Sequence, residues 1–376
     1  MNVSGPHILV VAGTRPNFIK VAPLLSAFAL QNIPFTFLHS RQHYEETLSE
    51  IFFRQLGIPD PDYFLDVADG SPAARFANLM QQMESAFDEI NPAAVIVAGD
   101  VDTTLAAALV ARKQGRFVMH IESGLRSLDR RMPEEINRII TDSLSDVCYT
   151  TSETAIDNLR KEGIPKERIV FAGNIMVDTL LKMQPLINSN NILKTLGLTE
   201  KEYILVTLHR PGNVDSKRDL EHLMQVIRHI STQLKVVFPL HPRTRKRLVA
   251  FDLWKDMAEI PGIHILDPLG YLEFSRLLKD ARIVLTDSGG IQEESTVYGI
   301  PCITLRENTE RPETLEPGSS VLAGNDAWKI DRYVQEALEG RWKKSGLPAG
   351  WDGNAASRIA LDVAGRIPKF AKSQAK

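Results

Sequence analysis

The sequence is poor in cysteine, in long apolar runs and in uncompensated charge, and each shortage removes a class of function. Its 376 residues include only two cysteines, Cys148 and Cys302. They stand far apart, each inside an apolar stretch, as buried thiols in strands do, and give neither a metal-site spacing nor a redox pair. No apolar run approaches the ~20 residues needed to cross a bilayer. Lys and Arg total 44 against 47 Asp and Glu, a net charge of −3. Such a balance offers no field for nucleic acid or an anionic membrane, so neither is expected as a partner. The opening residues lack a basic stretch followed by an apolar one, and the expected location is the cytoplasm.

Several signatures are missing as well. There is no G-x-G-x-x-G for a dinucleotide, no Walker A lysine loop, no H-E-x-x-H zinc pair and no G-x-S-x-G nucleophile elbow. These gaps argue against a dehydrogenase, a kinase, a metalloprotease and a serine hydrolase. No cofactor and no metal are expected.

What the chain does have is a regular alternation. Residues 8–12, 35–39, 94–98, 117–121 and 147–150 read as strands, most of them apolar on both faces. Between them, 19–30, 44–56, 74–90, 103–113 and 135–144 have helical length and amphipathic spacing. Buried strands separated by helices indicate parallel βαβ units and a doubly wound sheet. The pattern pauses over 173–198, where turn formers gather around 188–191, then restarts with strands at 203–208, 235–240, 264–266, 283–286 and 302–305. A chain of this length exceeds one ordinary core. The expected division is an N-terminal α/β domain over 1–185, a second α/β domain over 199–354, and a tail, 355–376, packing back on the first domain. The tail reads as helical from 355 until Pro368.

In open α/β sheets ligands bind beyond the carboxyl ends of the strands. One such end carries Gly13-Thr14-Arg15-Pro16, with Lys20 at helical distance; Arg15 would sit beside free helix amides, where an anion is favoured. Asp100 follows Gly99 at the end of 94–98, and Glu122 follows 117–121. One acid at a strand end is often a helix cap, but two at successive ends suit proton abstraction and return by separate groups. His209-Arg210 ends the first strand of the second half. The most specific stretch is Thr286-Asp287-Ser288-Gly289-Gly290-Ile291-Gln292-Glu293-Glu294. A strand ends there, paired glycines allow close backbone approach, a helix begins, and its free amides suit a diphosphate. Glu294 lies about one turn inside, in reach of vicinal hydroxyls such as those of ribose.

Eight segments in order resemble one family: GTRPNFIK at 13–20, GDVDTT at 99–104, HIESGLR at 120–126, PEEINR at 133–138, GNIMVD at 173–178, LHR at 208–210, DSGGIQEE at 287–294 and NTERP at 308–312. Together they are similar to the non-hydrolysing UDP-N-acetylglucosamine 2-epimerases, over about residues 8–324. The resemblance implies a GT-B fold, two doubly wound Rossmann-like domains facing a cleft, working as a homodimer on a UDP-sugar. It implies that Asp100, Glu122 and Glu134 are the acid/base carboxylates and that His209 stands beside the leaving diphosphate. Arg15, Lys20 and Arg138 would contact substrate as cations. Ser288, Gly289, Gly290 and Glu294 would cradle UDP in the second domain, and Phe274 would flank uracil, although core packing is the commoner fate of such a residue.

The implied reaction is reversible C2 epimerisation of UDP-N-acetylglucosamine to UDP-N-acetylmannosamine, by elimination of UDP across C1–C2 to a 2-acetamidoglucal and re-addition. Related readings are a C2 epimerase of a UDP-2,3-diacetamido-uronic acid, a hydrolysing epimerase and a GT-B glycosyltransferase. A non-catalytic nucleotide-sugar sensor is a further class, against which the complete set of acids argues. The sequence departs from the family pattern at Ser40-Arg41-Gln42-His43, where Thr-Gly-Gln-His is usual. Many bacterial members use groups near Gln42, Arg210 and His241 to bind a second UDP-N-acetylglucosamine as activator. Their additional Arg-Gln is not recognisable in 66–73, so activator control is not expected in this chain.

Overall fold

Apolar runs buried on both faces become the inner strands of two parallel sheets. The computed structural model describes residues 7–41, 53–67 and 70–374. The chain divides into two units, Met1–Lys182 with Ala349–Lys376, and Met183–Pro348. The first unit holds seven strands: β1 (Ile8–Ala12), β2 (Phe35–His39), β3 (Tyr63–Phe64), β4 (Ala94–Ala98), β5 (Phe117–Ser123), β6 (Val147–Thr150) and β7 (Ile169–Phe171). Their order is β3-β2-β1-β4-β5-β6-β7, and the pairings are parallel. The second unit holds β8 (Tyr203–Thr207), β9 (Lys235–Pro239), β10 (Ile263–Leu266), β11 (Ile283–Thr286), β12 (Cys302–Thr304) and β13 (Ser320–Leu322), in the order β10-β9-β8-β11-β12-β13. This sheet is parallel too. These are the two doubly wound, Rossmann-like sheets that the alternation of runs predicts.

Chain order reverses in each sheet, between β1 and β4 and again between β8 and β11. Such reversals open a crevice at the carboxyl ends of the strands. Side chains of β1, β4 and β8 are buried throughout, as continuous apolar runs require when helices cover both faces. Cys148 in β6 and Cys302 in β12 are free and buried.

Two stretches differ from the sequence reading. The pause at 173–198 contains helices Ile175–Ser189 and Ile192–Leu196. Pro185 inside the first helix and the asparagines that follow mask its periodicity, yet Ile175, Val177, Leu180 and Ile187 are buried along it. The tail helix, Ala355–Gln374, runs through Pro368 instead of stopping there. Proline removes one ladder bond, and at this exposed position the helix tolerates the loss. That helix packs on helix Arg15–Leu30 of the same unit. Asp178, from the GNIMVD stretch, accepts hydrogen bonds from the Ala355 and Ala356 amides at 3.2 and 2.7 Å and so caps its start. Most of the helix expected at 44–56 lies outside the described residues; 53–56 are helical. Among the described residues no helix is long and apolar enough to cross a membrane.

Candidate active site

In the first unit the switch point is organised by Asn17. Its Oδ1 accepts from the Gly13 and Thr14 amides and the Thr14 hydroxyl, each at 3.1 Å, and its Nδ2 donates to the Ala98 carbonyl at 2.8 Å. The turn after β1 is thereby tied to the end of β4. One helical turn onward, Lys20 forms an ion pair with Glu122, and both are buried. Two opposite charges out of water stabilise each other only at close contact, so each fixes where the other points.

Glu122 has φ +69°, a left-handed backbone that a non-glycine residue seldom adopts. It falls where the register of β5 on β6 shifts, between Ile121 and Ser123. An outlier of this kind costs on the order of 1–3 kcal/mol and marks a place where a side chain has been re-aimed. The end of β4 carries Asp100. Its carboxylate pairs with Arg138, which also binds Glu135 at 3.1 Å. Glu135 in turn accepts from the Ser127 and Leu128 amides at 2.9 and 3.0 Å. The Asp100 carbonyl accepts from Asn137 at 2.9 Å. Glu134, half-buried, lies in the first turn of helix Pro133–Leu144, beside Glu135. The side chain of Arg15 is outside what is described, as are Gln42 and His43.

The second unit repeats the logic with other groups. Asp287, at the end of β11, is fully buried and accepts from the amides of His209 and Arg210 and from Asn213, at 2.9–3.1 Å. Its Oδ1 lies 2.7 Å from His209 Nδ1. Burial pushes this carboxyl up, but His209 and the two amides outweigh burial and hold it down at about 2. The ring of His209 is thus oriented by a permanent anion, and it stays one-third exposed. Its neighbour is the His241 ring, 5.3 Å away between centroids.

Ser288 precedes helix Gly289–Tyr298 without a side-chain capping bond, and Gly299, at φ +65°, ends it. A β-carbon at Gly289 would lie 2.6 Å from Nη1 of Arg311, whose Nε binds Glu293 at 2.7 Å. Glycine here therefore admits a buried guanidinium beside the helix start, where an anion would gain both the cation and the free amides. Glu294 is buried next to Glu293, and burial, with the Glu293 charge added, raises its carboxyl to about 8. Phe274 is half-buried and packs on the core that contains Tyr203 and Leu277.

Residues 28–363 match the family described as UDP-N-acetylglucosamine 2-epimerase. The chain belongs to this family. It is 40% identical over 357 residues to the UDP-N-acetylglucosamine 2-epimerase of Methanocaldococcus jannaschii, covering 93% of this chain and 96% of that one. A crystal structure of the Methanocaldococcus jannaschii UDP-GlcNAc 2-epimerase in complex with UDP-GlcNAc and UDP superposes with a TM-score of 0.90 at 38% identity, over 96% of this chain and 99% of that one. A UDP-2,3-diacetamido-2,3-dideoxy-D-glucuronate 2-epimerase of Pseudomonas aeruginosa is 38% identical, over 94% of this chain and 98% of its own length. The GT-B-like architecture of these epimerases is that of this chain.

Placed on this epimerase fold, Lys20 and Glu122 come together, as do Asp100 and Arg138. His209 meets Asp287, which the sequence reading quoted without giving it a role. Asn17, Glu135, Arg311 and Glu293 were equally without assignment. A weak signal existed for Arg311, inside the NTERP stretch. None existed for Asn17. Three of its four bonds stay within its own turn, and only the one to Ala98 depends on β1 and β4 being neighbours.

Proposed function

We propose that this chain interconverts UDP-N-acetylglucosamine and UDP-N-acetylmannosamine at C2 by eliminating and re-adding UDP. The observation that carries the reading is the pair of strand-end carboxylates in the first unit, each held by its own cation: Glu122 by Lys20 and Asp100 by Arg138. A hydrogen at C2 of an acetamido sugar is scarcely acidic. Removing it as the C1–O bond breaks gives a 2-acetamidoglucal, and returning a proton to the opposite face inverts C2. That chemistry needs one group as base and another as acid, roles for which Asp100, Glu122 and Glu134 are the candidates. The departing UDP needs stabilisation of a growing negative charge, for which His209, Arg15 and the start of helix Gly289–Tyr298 are the candidates. Glu294 is the candidate for the ribose hydroxyls and Phe274 for the face of uracil. A cytoplasmic homodimer is the assembly this reading expects, and light scattering on the purified protein tests that part.

The experiment is incubation with UDP-N-acetylglucosamine in D₂O without added NAD or metal. UDP-N-acetylmannosamine carrying deuterium at C2 is the expected product. Product that retains the original C2 hydrogen, or release of free N-acetylmannosamine and UDP, would refute the reading. The Pseudomonas aeruginosa relative favours one second reading, a UDP-diacetamido-uronic acid as substrate. The same assay with that sugar, compared by kcat/KM, decides between the two.

A further inference from the structure

His120 stands in β5, two residues before Glu122, with no exposed surface. Its ring bridges two other elements. Nδ1 lies 2.7 Å from Oδ1 of Asp142, on helix Pro133–Leu144, and Nε2 lies 2.8 Å from the carbonyl oxygen of Gly99, after β4. A carbonyl only accepts, so Nε2 carries a hydrogen. Asp142 is buried and accepts at its other oxygen from the Gly124 amide at 3.0 Å and from Arg126 at 2.6 Å. Burial pushes the Asp142 carboxyl up, but His120 and Arg126 together outweigh burial and hold it below its usual range. The carboxylate, ion-paired to Arg126, offers its Oδ1 as an acceptor, so Nδ1 faces it as a second donor.

Arg126 binds both the buried Asp142 and the exposed Glu162, which anchors its guanidinium against the Asp142 carboxylate. Cys148 on β6 donates its thiol to the Asp142 carbonyl at 3.7 Å, and burial, with the Asp142 charge added, lifts that thiol to about 12.

This pair holds both strand ends that carry the candidate carboxylates. The Gly99 amide donates to the Ile121 carbonyl at 3.0 Å while the Gly99 carbonyl accepts from His120, which fastens the loop leading to Asp100 onto β5. The Gly124 amide, just past the Glu122 turn, is fastened to Asp142. Loop and turn therefore hang from one buried unit.

We infer that His120, donating from both ring nitrogens to Asp142 and Gly99, is a positioning residue that sets the Asp100 loop and the Glu122 turn for proton transfer. The inference rests on the epimerase reading, and its first test does not. In unliganded protein labelled with ¹⁵N-histidine, at pH 7.5, the His120 signals, identified by their loss in His120→Asn, should show hydrogen on both ring nitrogens. A ring with a single N–H would overturn the two-donor arrangement. The second test uses activity. His120→Asn keeps a donor near Nδ1 and loses the one facing Gly99. It should lower kcat for deuterium exchange at C2 by about 10²-fold, with KM within about threefold and UDP affinity unchanged, as expected of misplaced catalytic groups. His120→Gln, whose amide reaches toward Gly99, should recover at least about tenfold of that loss. Near-normal kcat in His120→Asn, or equal losses in kcat and UDP affinity, would overturn the positioning role. If the wild-type protein exchanged no C2 hydrogen, the epimerase reading would fall while the ring spectrum would still decide the two-donor arrangement.

Discussion

A β-carbon on Gly99 would lie 2.7 Å from Nζ of Lys20 and 3.5 Å from Oε2 of Glu122. Gly99 has φ +71°, so its lack of a side chain serves the backbone and the ion pair together. Gly99→Ala should cost about 1–2 kcal/mol of stability from the left-handed backbone alone. The ammonium, at the end of a flexible chain, can yield, but only by leaving its partner in a buried site. Activity should therefore fall by far more than stability does. A thermal melt and a C2 exchange assay on the same preparation measure both, and a variant destabilised yet fully active would show that the Lys20–Glu122 contact is dispensable.

The three candidate acids invite the direct comparison. Asp100→Asn, Glu122→Gln and Glu134→Gln should each lose about 10²–10⁴-fold in kcat, the usual contribution of a positioned acid or base. All three should bind UDP normally, since the proposed UDP cradle is built from β8, β11 and helix Gly289–Tyr298. Near-normal kcat in any one of them removes that residue from the proton-transfer set.

The second unit makes a pH-dependent prediction. Glu294 is raised to about 8, so at pH 7 its neutral form predominates in the free protein. Ribose hydroxyls donating to the carboxyl favour its ionised form, hence UDP binding should release a proton, and affinity should climb as pH rises from 6.5 towards 8.5. Glu294→Ala should weaken UDP binding and flatten this slope. Calorimetry in two buffers of different ionisation enthalpy reads the proton directly; no release at pH 7 would refute the assignment of Glu294 to the ribose.

Asp178 gives a stability counterpart. Burial raises it to about 6 although two amides oppose the shift. A carboxyl whose folded value exceeds its unfolded one contributes stability below about pH 4, and the contribution is lost as pH rises through 6. A shift of about two units is worth on the order of 3 kcal/mol. Asp178→Asn keeps an acceptor for the cap and removes the buried charge. Relative to the wild type it should gain stability between pH 4.5 and 7, read as a difference in unfolding midpoints that a pH-independent cap would not produce.

Much of this architecture was legible because it rests on local patterns. The inner strands β1, β4, β5, β6, β8, β9 and β11 are short apolar runs, and the sheet order follows from helices between them. Of the four edge strands, β3, β7 and β13 are two or three residues long with mixed burial, too short for any period to register. The same limit applied to contacts within the site. Arg138 meets Asp100 across 38 residues, and the Asp287 carboxylate meets the His209 amide across 78. Pairings of that separation are made by the sheet, and single residues carry no sign of them. The left-handed turn at Glu122 was equally hidden, since glutamate does not announce positive φ as glycine does.

Arg41 stands where the resembled family usually has glycine, and it has φ +48°, a conformation that explains glycine there and that arginine adopts at a cost. Its guanidinium lies 2.9 Å from Asp66 and stacks 4.2 Å over the Phe64 ring. These contacts offset the strain and hold the cation to its own unit's β3 edge, so Arg41 is poorly suited to replace the Arg-Gln missing from 66–73. Contacts to a diphosphate from charged donors are worth about 1.5–3 kcal/mol each. Losing two such contacts exceeds a typical allosteric coupling of about 1–3 kcal/mol. An activator acts only through tighter binding to one state of the enzyme, and without that difference it shifts nothing. The reverse reaction, started from pure UDP-N-acetylmannosamine, should therefore proceed without a lag, and trace UDP-N-acetylglucosamine should leave its initial rate unchanged. A lag that the trace abolishes would mean that an activating site persists. Arg41→Gly then separates the remaining possibilities: a lag lost in that variant would assign the activator contact to Arg41, and a lag retained would assign it to Arg210 and His241.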